Sequence, residues 1–165
     1  MATRPKVPVC GGQLRADTRL ALTGVLLAQG GMEFDFTPLA KAVGRLDEGL
    51  ARYNEDRNDL QIRDGLVQRF EFTYELAHKM LRRALEQSSP SPDEIDRMSF
   101  PTLIRTAYEQ GFVASSWPIW SDFRDMRNIA SHTYDEAEAM RVVQAIPAFL
   151  AEARFLLTQL TDRPQ

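Results

Sequence analysis

The segment 60–87 constrains this chain more than any other. Leu66, Phe70, Tyr74, Ala77, Leu81 and Leu85 recur there at steps of three and four, while Asp64, Gln68, Glu71, Lys79 and Arg82 fall mostly on the other side. No proline interrupts it. At 1.5 Å per residue such a helix is roughly 40 Å long, so other helices have to line up along it. Ile62, Phe72, Leu76 and Met80 make a second, narrower apolar stripe beside the first, roughly a hundred degrees around the helix. One buried face does not cover both stripes, so the segment is expected to be the central helix of a bundle and to lie at a homodimer seam.

The flanking segments read as further helices. Leu39, Val43, Leu46, Leu50 and Tyr53 predict a helix over 37–54, with Thr37 as its cap and Pro38 in the first turn. Ser88-Ser89-Pro90-Ser91-Pro92 breaks the chain and leads into an acidic turn. Ser99 then caps a helix over 101–110, with Leu103, Ile104, Ala107 and Tyr108 inward and Gly111 as its stop. Ser115-Ser116-Trp117-Pro118 opens a helix over 118–130 that carries Trp117, Trp120, Phe123 and Met126 or Ile129 as apolar contacts. The last helix, 134–160, has Ala137, Met140, Val143, Ile146, Phe149, Leu150, Phe155, Leu156 and Leu160 inward and a kink expected at Pro147. No stretch alternates with a period of two, so the fold expected is all-α: an antiparallel up-and-down bundle of four to five helices.

Residues 1–31 read differently, with Pro5, Pro8, Gly11 and Gly12 followed by an apolar run from Leu20 to Ala28. The run is shorter than the roughly 20 residues that span a bilayer, and Asp17 interrupts its basic lead, so neither a membrane span nor a signal peptide is expected. This part is expected to be a poorly organised extension, with Met32 as an alternative start and 32–162 as the domain. Cys10 is the only cysteine, which excludes an internal disulfide and fits a reducing cytoplasm. A net charge of −3 argues against broad coating of nucleic acid and leaves room for a small local RNA or nucleotide site. The two histidines, His78 and His132, lie in no metal-ligand spacing, and there is no glycine-rich phosphate loop; neither metal nor cofactor is expected.

The densest polar stretch is Arg127-Asn128-Ile129-Ala130-Ser131-His132-Thr133-Tyr134, between two helical patterns. Part of it is helix-end chemistry: Thr133 followed by Glu136 has the form of a capping box, and Ser131, Thr133 and Asp135 are candidate caps. Arg127, His132 and Tyr134 are left over, since none of them caps a helix start well.

Arg127-Asn128-x-x-x-His132-x-Tyr134 resembles the Arg-x4-His-x-Tyr signature of the HEPN families, and is most similar to those paired with minimal nucleotidyltransferases, the nucleotidyltransferase substrate-binding proteins. Arg63-Asp64-Gly65, Gln68-Arg69-Phe70-Glu71-Phe72 and Tyr74-Glu75-Leu76 are similar to that family's central helix, and the likeness runs from about residue 34 to 160. The resemblance implies a dimer whose two Arg-His motifs face each other across a cleft, and a small nucleotidyltransferase as partner. It implies for several members a metal-independent endoribonuclease toxin, silenced when the partner transfers AMP to the motif tyrosine, here Tyr134. The alternative it carries is a non-catalytic subunit that presents substrate to the nucleotidyltransferase.

The chemistry suits the residue types. RNA brings its own nucleophile, the 2′-hydroxyl, so cleavage needs a base, an acid for the leaving 5′-oxygen, and a cation at the phosphorane. A histidine serves as base or acid near neutrality, and an arginine grips phosphate through two parallel hydrogen bonds. Arg127 and His132 are thus the candidate catalytic pair, with Asn128 and Ser131 in support. Asn128 fits equally the orienting of phosphate or of His132 and the capping of a helix end. One chain supplies one motif histidine and a dimer two.

Overall fold

The computed structural model describes residues 35–132 and 135–163, which leaves the 1–31 extension, Thr133 and Tyr134 outside the described residues. These residues form six helices and no strand: α1 (Thr37–Glu55), α2 (Leu60–Ser88), α3 (Pro92–Asp96), α4 (Phe100–Glu109), α5 (Trp117–Ala130) and α6 (Glu136–Asp162). The five longer ones stand where the periodicity puts them. The central helix α2 packs against each of the other five. Its inner stripe is fully sequestered, with Leu66, Phe70, Tyr74, Ala77, Leu81 and Leu85 all buried.

The acidic turn after the serine-proline break is itself the five-residue helix α3. Pro92 sits in its first turn with Asp93 and Glu94, where negative charge favours the exposed amides. From α2 the Arg82 guanidinium reaches its far end, donating to the carbonyls of Ile95 at 3.1 Å and Asp96 at 2.8 Å. Carbonyls at a helix C-terminus lack partners and attract a cation, so a segment too short to stand alone is held in place.

Three local expectations change. Thr37 is the first residue of α1 rather than its cap; its amide donates to Asp35 Oδ1 at 2.9 Å. Met80 lies in the core at 4% exposure, while Ile62 and Leu76 pack partly buried against it. The second stripe therefore reduces to Phe72, 58% exposed. Tyr108, Ala137 and Phe155, expected inward, stand at the surface, since the period of a helix gives the face a residue lies on and not what that face meets. Ser99 caps α4 as expected, accepting from the Thr102 amide at 3.4 Å. Gly111 takes φ +72°, and the Phe112 amide reaches the Ala107 carbonyl at 2.9 Å, the wrapped helix end that glycine permits.

An aromatic cluster joins α2, α5 and α6. The Phe149 ring meets Phe70 edge-on at 5.0 Å and Phe123 at 5.4 Å, and Trp120 lies fully buried beside them. One carboxylate is buried with it. Glu152 of α6 accepts from the amides of Ala114 (2.8 Å) and Ser115 (3.1 Å) and from Trp120 Nε1 (3.3 Å), and its other oxygen takes the Ser115 hydroxyl at 2.7 Å. The loop entering α5 is thereby pinned to α6, which sets where α5 begins.

Candidate functional site

A polar stripe on α2 meets a polar stripe on α5. Glu71, Glu75, His78 and Arg82 recur at steps of four, three and four along one face of α2. Arg124, Arg127, Asn128 and Ser131 recur at three- and four-residue steps along and just past α5. The Ser131 hydroxyl donates to Glu71 Oε1, and Arg127 Nε lies 2.5 Å from Glu75 Oε1. His78 and Arg124 line the same cavity. Numbers rise along α2 as they fall along α5, as antiparallel packing requires.

That cavity, of about 190 Å³, is walled by Tyr74, Glu75, His78, Phe100, Arg124, Arg127 and Asn128. Arg127 is 34% exposed and Glu75 48%, so the pair is partly screened and contributes mainly orientation. The Nε–H is not aimed along the contact, which makes it a charge pair rather than a directed hydrogen bond. Arg127 Nη1 reaches Asn128 Oδ1 at 3.4 Å. Because Glu75 approaches at Nε, the terminal edge of the guanidinium is the part left to face an anion.

Charge and burial set the ionisation of the walls. Burial drives the Tyr74 phenol far above its ordinary value, with Arg124 opposing. Burial, then Arg82 and Arg124, holds the His78 imidazole below its ordinary value against the pull of Glu75. Its ring stands edge-on to Phe100 at 4.7 Å, and Nε2 is buried with no hydrogen-bond partner among the described residues. The Arg124 guanidinium lies over the same ring, 5.3 Å from the Phe100 centroid.

The residues singled out from the motif divide. Arg127 and Asn128 share the cavity wall. Ser131 is the C-cap of α5, not a cap of the helix that follows; besides Glu71 its hydroxyl donates to the Arg127 carbonyl at 3.2 Å. Asp135 is the N-cap of α6, accepting from the Ala137 amide at 3.2 Å. His132 stands exposed on the turn just past α5, its amide donating to the Ile129 carbonyl at 3.0 Å, and it is not among the cavity walls. Tyr134 lies outside the described residues. Sequence reasoning missed Glu75, His78 and Arg124 as site residues. The signal was there, in a polar heptad on α2 that no apolar-stripe search scores.

An all-helical bundle thus turns two arginines, an asparagine and a half-buried imidazole toward one small cleft. Residues 34–162 match the family model described as nucleotidyltransferase substrate binding protein like, and the chain belongs to that family. It is 45% identical over 101 residues to a Haemophilus influenzae protein named "Probable ribonuclease HepT", spanning 61% of this chain and 68% of that one. A solved Haemophilus influenzae structure, described as the fold of a substrate-binding domain of a nucleotidyltransferase, matches with a TM-score of 0.72 at 36% identity. The match covers 78% of this chain and all of that one. The family is the one the motif and central helix resemble.

Proposed function

We propose that this chain is the HEPN-type partner of a minimal nucleotidyltransferase and acts in the cytoplasm as an endoribonuclease toxin, silenced by AMP transfer to Tyr134. The observation that carries this is Arg127, oriented by Glu75 on the wall of a cleft that it shares with Arg124 and Asn128. A phosphodiester seated there faces two guanidiniums, and the charge that develops on its oxygens at the phosphorane is stabilised. The 2′-hydroxyl attacks phosphorus, the bond to the 5′-oxygen breaks, and a 2′,3′-cyclic phosphate and a 5′-hydroxyl result. One His132 takes the proton from the 2′-hydroxyl, and the His132 of a second copy returns one to the 5′-oxygen. No step calls for a metal. The name of the ribonuclease relative supports the reading.

A second reading has its own observation. His132 lies outside the cavity wall, and the family's description is substrate binding, which suits a subunit that presents a nucleotide to its partner without cutting RNA. Induction of the chain with and without the nucleotidyltransferase separates the two. Growth arrest relieved by the partner supports the toxin; harmless expression with tight complex formation supports the presenting subunit. With partner and ATP, the wild type should gain the mass of one AMP and Tyr134→Phe none. An adduct that persists on the Phe variant removes the off-switch.

The shared-cleft mechanism requires a homodimer. Phe72 is the exposed aromatic on α2, and the structure narrows the test to it, since Leu76 and Met80 are needed inside the protomer. Phe72→Glu should leave helicity unchanged and weaken self-association at least tenfold, because burying an unpaired carboxylate in an interface costs well above 1.4 kcal/mol. Sedimentation showing only monomer for the wild type at micromolar concentration would remove the two-histidine scheme.

A further inference from the structure

His78 is not used by the proposed reaction, yet it lines the same cavity as Arg127. Its Nε2 is buried without a partner among the described residues, and such orphaned groups in a folded protein need a reason. We propose that the cavity is a proton-coupled phosphoryl pocket: a phosphate group held by Arg124, Arg127 and Asn128 draws a proton onto the His78 imidazole beside it. The inference rests on reading this cleft as a phosphate site, and adds the residue that makes binding depend on pH.

Size and charge both point to one phosphoryl group. At about 190 Å³ the cavity is smaller than the several hundred Å³ that enclose a whole drug-sized ligand, so the nucleoside would lie outside it. The charged groups facing His78 are Glu75 and Arg82 from its own helix and Arg124 and Arg127 from α5, whereas α4 presents the apolar Phe100. Two guanidiniums against one carboxylate on the cavity wall, with Arg82 behind them, favour an anion. Without one, burial and the guanidiniums keep the imidazole neutral. An anion within about 4–6 Å reverses the balance and favours the charged ring. One proton then comes from solvent for each ligand bound. Because the bound-state pKa exceeds the free-state one, the added affinity is fully present below the free value and disappears as pH rises through the bound value.

The phosphoryl group has two sources, a diester within an RNA chain or a monoester on a free nucleotide. Two probes separate them: thymidylyl-thymidine, an uncleavable diester without 2′-hydroxyls, and AMP. The chain has two histidines, so proton NMR of the imidazole C–H signals, assigned with the exposed His132→Gln, follows His78 directly. Saturating ligand should raise the His78 pKa by about one unit, and diester affinity should weaken about tenfold as pH rises from below the free-state value to above the bound-state one. His78→Phe, which keeps the ring contact with Phe100, or His78→Gln if that variant folds poorly, should bind with no such pH dependence. Binding of AMP alone assigns the pocket to a nucleotide monoester, and binding of both to RNA as well. If ligand binds and Arg127→Lys weakens it while the His78 titration stays unmoved, the phosphate site stands and the role of His78 is overturned. If neither probe binds, both fall.

Discussion

Glu152→Ala should lower stability by about 3 kcal/mol, the largest loss expected from any single change outside the apolar core. The carboxylate is 4% exposed and accepts from two amides, an indole N–H and a hydroxyl. Truncation leaves those donors facing a void, and a buried donor without an acceptor costs about 1–3 kcal/mol before water enters. For a domain of this size that is a fall in melting temperature of roughly 10 °C. Glu152→Gln keeps an oxygen for the amides and loses the charge, so it should cost about 1 kcal/mol. Since the same contacts fix the start of α5, the Ala variant should also weaken whatever binds at Arg127 while α2 keeps its helicity. Thermal and urea unfolding measure this directly. If Glu152→Ala melts within a degree or two of the wild type, the staple between the α5 entry and α6 is not what holds that loop.

The second large effect is on activity alone. His132→Ala should lower RNA cleavage by about 10²- to 10⁴-fold, the usual contribution of a positioned acid or base, with the melting temperature unchanged within a degree or two. The side chain is exposed, and a surface substitution of this kind stays within about 0.5 kcal/mol. A buried structural histidine at this position is excluded by that exposure, so any loss of activity cannot be laid to unfolding. Arg127→Lys is the partner test: the charge remains and the planar fork goes, and cleavage should fall about 10- to 100-fold through the lost charge-assisted hydrogen bond. Full cleavage by either variant sinks the catalytic pair; absence of cleavage by the wild type is the result that leaves the substrate-presenting subunit ahead.

Much of this protein was legible in its sequence because helices are local. Apolar steps of three and four placed the five longer helices, Ser99 and Gly111 marked the ends of α4, and the length of 60–87 made it central. Arg127 stood out because a cation at that point of the chain had no capping duty to explain it, whereas Asn128 fitted a cap as well as a site. Short-range signals failed where the partner came from elsewhere. The helix α3 depends on Arg82 of α2, and Met80 counts as core only once α2 is surrounded. Only the tertiary structure could pair Glu75 with Arg127, send Ser131 to Glu71 across 60 residues, and turn His78 into a cavity wall. Periodicity says which face of a helix is polar and not what that face meets. Two polar stripes, each ordinary by itself, become a candidate site only when antiparallel packing sets them against each other.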